Sequence, residues 1–364
     1  MYEKELLALK RAGRFRQPIS ADFKSVDMAS NDYLGLAHKT KLLKLAFKKL
    51  SKYPYYAPKS SLFVNGYHPI HQEFETTLCK VNQFEAGVVA GSGFLANLGL
   101  IEALVRKRDV LFIDESYHAS GMVATKLVQG KVVLFKHNNL DDLLKKLNYT
   151  NVTGRRIIAV EGIYSMEGDM VKREFFDISE EYEALMVVDE AHSSGTVGAN
   201  LLGVYDHYNI KPNSLHIKMG TLGKAYGSYG AYILGSHKIV SFLHNRAKSL
   251  IYATAPSLFD IALASINFEY IMRKKKKLIK KINRLKDQIE ANIKIYPEGM
   301  IVPIKMPDIK STIKIQDFLK SQKFEVGAIR PPTVSKPILR IILRTSVKPK
   351  QYKKLLTHLQ CLSR

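Results

Sequence analysis

His216-Ile217-Lys218-Met219-Gly220-Thr221-Leu222-Gly223-Lys224-Ala225-Tyr226-Gly227 sets Lys224 among glycines and small residues, just beyond a short apolar run. That is a poor setting for a solvated surface cation. An amine surrounded by small groups and taken out of water has a lowered pKa, and it becomes able to form a Schiff base with an aldehyde. By itself, a lysine in a glycine-rich turn also reads as an ordinary turn. Its neighbours in the fold must decide.

Earlier in the chain, Ala184-Leu185-Met186-Val187-Val188-Asp189-Glu190-Ala191-His192-Ser193-Ser194-Gly195 reads as a buried strand delivering an acid and a histidine into a loop. Asp-Glu-Ala-His after an apolar strand also occurs in nucleotide-driven helicases, where the first acid serves Mg²⁺. Those proteins need a Gly-x-x-x-x-Gly-Lys-Ser/Thr phosphate loop, and the chain has none. Lysine, aspartate and histidine together point to pyridoxal phosphate. Lys224 would hold the aldehyde, Asp189 would keep the pyridine nitrogen protonated so that the ring acts as an electron sink, and His192 would lie near the ring hydroxyl.

Val88-Val89-Ala90-Gly91-Ser92-Gly93-Phe94-Leu95-Ala96-Asn97 supplies a matching phosphate site. A short strand runs into Gly-Ser-Gly, and helical periodicity continues from Leu95 to Arg106. The amides of Gly93 and Phe94 would point outward at the helix start, where the dipole favours an anion. Further apolar strands are predicted at 110–113, 132–135, 157–160 and 185–188. Helices are predicted at 39–53, 71–83, 120–126, 140–147 and 176–182, with a loop from Tyr55 to Gly66. Continuously apolar strands separated by helices imply a largely parallel sheet covered on both faces, with ligands at the carboxyl ends of the strands. Gly93, His118, Ser165 and Asp189 each follow such a strand. That shared position carries more weight than any single motif. From about 257 a long helical region over 260–295, then short alternating elements, reads as a second, smaller unit. The expected division is an N-terminal arm over 1–37, a large cofactor-binding domain over 38–256 and a small α+β domain over 257–364.

Of the 364 residues, 46% are apolar and 24% charged, which places the chain among ordinary globular proteins. No apolar stretch reaches the roughly 20 residues that cross a bilayer, and Met-Tyr-Glu-Lys-Glu opens no secretory signal, so a soluble cytoplasmic protein without a membrane partner is expected. Two cysteines, Cys79 and Cys361, are too few for a disulfide framework or a zinc site and read as free thiols; no metal is expected. The formal charge of +23 admits a nucleic-acid partner, an acidic protein partner, or a lysine-rich proteome with no functional meaning. Lysines scattered along helices, and the absence of Trp, fit the last.

With these residues identified, the chain resembles the α-oxoamine synthases, pyridoxal phosphate enzymes of the aspartate-aminotransferase fold (fold type I). Ser30-Asn31-Asp32-Tyr33-Leu34-Gly35-Leu36, Glu161-Gly162-Ile163-Tyr164-Ser165-Met166-Glu167-Gly168-Asp169, Asp189-Glu190-Ala191-His192 and Thr221 to Gly227 match family patterns in order and spacing. Ala328-Ile329-Arg330-Pro331-Pro332-Thr333-Val334 is similar to the branch that joins L-alanine to a pimeloyl thioester with loss of CO₂, the start of biotin ring assembly. The resemblance implies Lys224 as the Schiff-base lysine, Asp189 on the pyridine nitrogen, and His192 and Ser165 near the ring oxygen. His118 would stack on the ring and serve the acyl carbonyl, while Gly93, Phe94 and Thr221 would take the phosphate. It further implies Arg340 as the carboxylate clamp, with Asn31, Thr333 and Arg16 at the substrate, and a homodimer in which Thr254 reaches the neighbour's phosphate. An acyl group arriving on an acidic acyl carrier protein would give the positive charge a purpose. Other oxoamine synthases, and a basic nucleic-acid-binding protein retaining the fold, are the alternatives. Ala57-Pro58-Lys59-Ser60-Ser61-Leu62-Phe63 departs from the family's glycine- and serine-rich loop, and Leu62 and Phe63 are expected to reshape the acyl entrance.

Overall fold

The computed structural model describes residues 1–362, with side chains as far as residue 360. Twelve strands occur among them: β1 (Val26–Asp27), β2 (Ala86–Ala90), β3 (Val110–Asp114), β4 (Lys131–Phe135), β5 (Arg156–Glu161), β6 (Leu185–Asp189), β7 (His216–Thr221), β8 (Ala231–Gly235), β9 (Ile301–Lys305), β10 (Phe324–Glu325), β11 (Gly327–Ile329) and β12 (Ile338–Ile342). Seven of them form one sheet in the order β2-β8-β7-β6-β5-β3-β4. The β7–β6–β5–β3–β4 pairs are parallel, while β8 is antiparallel to both β7 and β2, so β8 alone in this sheet runs against the rest. A parallel sheet is the expectation from sequence; β8 is the exception, and nothing in Ala231-Tyr232-Ile233-Leu234-Gly235 signals its direction.

Strands β3, β6 and β8 are buried at every position. Their side chains alternate between two separate cores, as the period of two requires. Phe112, Val160, Val188 and Leu234 face one core with Phe74, Phe176 and Phe268. Ile113, Ala159, Val187 and Ile233 face the other, with Leu100 and Leu104 of the helix Gly93–Leu104. Each such branched or aromatic side chain contributes about 1.5–3 kcal/mol on burial. The central strands therefore have no solvated face, and their carboxyl ends are where polar groups can collect.

The helix Leu258–Ile293 extends 36 residues and packs on the helix Thr40–Leu50. Beyond it, β11-β12-β9 form a three-stranded antiparallel sheet. The N-terminal segment joins this part of the chain: β1 pairs with β10 in parallel, and Arg344 donates to Asp27 Oδ2 at 2.7 Å and to Asp32 Oδ2 at 2.8 Å. Thr345 N donates to Tyr33 O at 2.8 Å. These bonds hold the Ser30–Leu36 segment against the strand that carries Arg340.

The helix Glu3–Arg11 has no buried residue. The Tyr55–Gly66 loop ends in a helical turn, Leu62–Gly66. Leu62 packs into the second core and Phe63 rests on His244 at 5.3 Å between ring centres, so neither lines the cavity described below. Cys79 is a free thiol, and the Cys361 side chain lies outside the described residues.

Candidate active site

The carboxyl ends of β2, β3, β5, β6 and β7 converge on one cavity lined by Gly93, Phe94, Asn97, His118, Ser120, Glu161, Asp189, Ala191, His192, Met219, Thr221 and Lys224. Thr221 is the last residue of β7, and Lys224 follows in a turn that folds back on itself through Gly227 N to Lys224 O at 2.9 Å. Gly227 has φ +57°, and a Cβ there would meet the Leu36 Cβ at 2.7 Å. Gly195 has φ +86°, and a Cβ there would collide with that of Ala225. Both glycines let the lysine turn seat against its neighbours, which a side chain would prevent.

Asp189 ends β6 and is buried. Its Oδ2 accepts from Asn97 Nδ2 at 2.7 Å and its Oδ1 from the Ala191 amide at 2.9 Å. Asn97 is itself fixed, donating to Ser120 Oγ at 3.0 Å and accepting from Tyr117 OH at 3.0 Å. Asp189 makes no ion pair among the described residues, so a buried carboxylate meets the cavity with neutral donors behind it. Such a group favours a cation in front of it.

His118 caps the short helix Ala119–Ala124. Its Nδ1 accepts from the Ser120 amide at 3.2 Å and lies 2.7 Å from Ser120 Oγ. With Nδ1 accepting a backbone N–H, the neutral ring carries its proton on Nε2. Burial lowers the His118 pKa; Asp189 opposes that shift and Lys224 adds to it. His192 is held neutral chiefly by burial, with Lys224, Arg340 and His118 pressing the same way. Its Nε2 lies 2.7 Å from Lys224 Nζ and its Nδ1 2.6 Å from Tyr33 OH. Burial is also the largest influence on Lys224; Asp189 and Glu161 offset it in part, Arg340 reinforces it, and the pKa falls to about 8. A poorly solvated amine that sheds its proton near neutrality suits nucleophilic and base chemistry.

Gly93 and Phe94 begin the helix Gly93–Leu104, where Ser92 Oγ caps the Leu95 amide at 3.2 Å. First-turn amides have no partner inside a helix, and these two residues line the cavity. Thr221 lies beside them: a Cβ on Gly93 would stand 3.6 Å from Thr221 Cβ.

Arg340 lies in the centre of β12 and is buried. Its Nε donates to Ser165 O at 2.7 Å and its Nη2 to Asn31 Oδ1 at 3.2 Å. No carboxylate pairs with it among the described residues, so the guanidinium has capacity for an incoming anion. Ser165 and Asn31 thus meet the site through Arg340. Arg16 and Thr333 are exposed and do not line the cavity, and Thr254 bridges to Ser61 away from the lining set.

Asn97, Ser120, Tyr33 and Glu161 are site residues to which sequence reasoning assigns no role. Glu161 could have been found, because it ends β5 in register with Asp189. Burial first, then Asp189, raises the Glu161 pKa well above the ordinary carboxylate range, and its Oε1 is buried without a partner. An orphaned polar atom, an uncancelled carboxylate and an open helix start around one cavity fit a polar aromatic phosphate of the pyridoxal type.

Residues 24–359 match the family model described as aminotransferase class I and II. A Helicobacter pylori (strain J99 / ATCC 700824) protein named 8-amino-7-oxononanoate synthase is 42% identical over 344 residues, covering 94% of this chain and 92% of its own. Among solved structures, one of serine palmitoyltransferase with PLP superposes with TM-score 0.90 at 22% identity, covering 100% of this chain and 96% of that one. One of 8-amino-7-oxononanoate synthase from Francisella tularensis superposes with TM-score 0.77 at 25% identity, covering 93% and 98%.

Proposed function

Because this chain belongs to the aminotransferase class I and II family and, within it, to the 8-amino-7-oxononanoate synthases, we propose that it joins L-alanine to a pimeloyl thioester with release of CO₂. The chain is a pyridoxal phosphate-dependent acyltransferase of biotin biosynthesis. The observation that carries the substrate reading is the presence of two buried charged groups without an ion-pair partner, Asp189 and Arg340, that both act on the Lys224 amine.

In this reading Asp189 takes the protonated pyridine nitrogen, His118 covers the ring, and Gly93, Phe94 and Thr221 take the phosphate. Lys224 takes the aldehyde, and His192 and Ser165 lie near the ring oxygen. When bound, the cofactor supplies an electron sink for the charge that develops at the amino acid's α-carbon. The rest falls to the chain. Arg340 receives the alanine carboxylate as a planar two-point donor and fixes its orientation. Lys224 Nζ, freed from the aldehyde when the alanine amine takes its place there, would accept the α-proton. His118 Nε2–H donates to the thioester carbonyl oxygen as negative charge grows there. Asn31 orients Arg340, while Thr333 and Arg16 belong to the acyl end.

The cofactor-binding unit is 38–256 and the smaller unit 257–364. The active form is a homodimer in which Thr254 serves the neighbouring site; the exposed Phe94 at the cavity, at 46%, supports a surface that is covered in an assembly. The acyl donor is a thioester of coenzyme A or of an acidic acyl carrier protein, for which the +23 charge provides attraction. The protein works in the cytoplasm, without nucleic-acid or membrane partners. No helix among the described residues is long and apolar enough to cross a membrane.

Incubating the purified protein with alanine or glycine and a series of acyl thioesters, followed by mass spectrometry, tests the proposal. Alanine with pimeloyl thioester should give 8-amino-7-oxononanoate and CO₂. A preferred aminoketone product from glycine, or from a different thioester, would assign the chain to another oxoamine synthase activity.

A further inference from the structure

Four hydrogen bonds join the two cations of the site into one line. Arg340 Nη2 donates to Asn31 Oδ1 at 3.2 Å, and the same oxygen lies 3.3 Å from Tyr33 OH. Tyr33 OH lies 2.6 Å from His192 Nδ1, and His192 Nε2 lies 2.7 Å from Lys224 Nζ. Tyr33 and His192 are both buried, so water does not compete for the bond between them.

With Lys224 charged, the chemistry at the two ends fixes every direction between them. Arginine and protonated lysine donate only. Asn31 must therefore turn its oxygen to Arg340, and that oxygen is the acceptor for the Tyr33 proton. The phenolic O–H donates to Asn31, so its oxygen accepts from Nδ1–H. The His192 Nε2 lone pair is then left facing Lys224. We propose that Tyr33 is a positioning residue for Lys224, acting through His192 by holding the imidazole in its Nδ1–H form with Nε2 as acceptor. The proposal rests on Lys224 as the reactive amine and is independent of which acyl group is transferred.

Other charged groups face the same amine. Asp189 and Glu161 favour its charged form, Arg340 and burial disfavour it, and His118 lines the same cavity. Tyr33 adds a neutral bond that strengthens the charged form from behind the imidazole. Removing the hydroxyl leaves Nδ1–H unpaired in a buried site whenever Lys224 is charged, and it frees the ring to present its protonated nitrogen to the ammonium. Both effects lower the pKa of Lys224.

The test uses the full chain purified free of cofactor. The pH dependence of Lys224 labelling by 1-fluoro-2,4-dinitrobenzene, read on its peptide by mass spectrometry, reports the amine directly. Tyr33→Phe should lower the apparent pKa by about one unit, the tenfold that loss of a charge-assisted hydrogen bond produces. In a His192→Phe background the same substitution should produce no further shift. An unchanged titration in Tyr33→Phe, or an equal shift with and without His192, would overturn the proposal. A measurement on the unaltered chain keeps the proposal testable should the variant not fold. ¹⁵N NMR of the imidazoles below the Lys224 pKa should show His192 protonated on Nδ1 and bare on Nε2, and the opposite tautomer would overturn the assignment.

Discussion

Asn97 donates its side-chain amide to Asp189 Oδ2 at 2.7 Å, so the carboxylate at the end of β6 is oriented by a neutral group carried on the helix that begins at Gly93. The helix that presents open amides at its start also aims the acid across the cavity. Orientation and charge are separable here. Asp189→Asn keeps the shape but removes the charge, and should lower kcat/KM by about a hundredfold or more while cofactor binding is partly retained. Asn97→Ala should produce a smaller loss, because the charge remains and only its aim is relaxed. Steady-state kinetics decide between these, and full activity in Asp189→Asn would remove Asp189 from the mechanism.

Arg340 makes a second prediction. With Ser165 O and Asn31 Oδ1 holding Nε and Nη2, the guanidinium plane is set before any substrate arrives. Arg340→Lys keeps a positive charge but loses the planar fork. KM for L-alanine should rise by about ten- to a hundredfold, the loss of one to two charge-assisted hydrogen bonds, with cofactor content unchanged. A KM equal to that of the unsubstituted protein would show that the carboxylate binds elsewhere.

Much of this arrangement is legible from residue order. Asp189, Lys224 and Gly93 each follow an apolar run, and the strand-end rule for parallel sheets is enough to collect them. Two kinds of feature are not legible. Tyr33 and His192 are 159 positions apart, and their contact depends on Arg344 binding Asp27 and Asp32, which no local pattern reveals. Asn97 sits in an apolar helical run where a lone amide looks incidental, and its role appears only once Asp189 and Tyr117 close around it. The reversed strand β8 is similar: five buried residues read as a strand in either direction, and the chain's path through Ser228-Tyr229-Gly230 decides which.

A third prediction concerns pH and stability. His137 Nδ1 lies 3.2 Å from Asp114 Oδ1 and its Nε2 3.2 Å from Asp169 Oδ2, tying the end of β3 to the turn that carries Ser165. Burial works against the charged ring, but the hydrogen bonds and charges of Asp114 and Asp169 outweigh it and raise the pKa from 6.5 to about 10. A folded-state pKa above the unfolded one means that the stabilisation is fully present below about 6.5 and is lost as pH rises toward about 10. The difference in Tm between the unsubstituted chain and His137→Gln should be large at pH 6 and should narrow steadily above pH 7. A difference that stays constant to pH 10 would show that His137 is uncharged in the folded protein.

Lys224, and no other lysine, takes the cofactor aldehyde in the proposed reaction. Lys218 is the instructive competitor, being fully buried in the preceding strand, but its Nζ is held by Asn82 Oδ1 at 2.9 Å beside Glu190 at 3.7 Å, behind the sheet rather than in the cavity. Reducing the pyridoxal phosphate-loaded protein with borohydride fixes the cofactor to its lysine, and peptide mass spectrometry then locates it. The pyridoxyl mass should fall on the peptide containing Lys224, and Lys224→Ala should show neither that mass nor a visible absorbance band; a modified Lys218, or a band that survives in Lys224→Ala, would assign the aldehyde to another lysine.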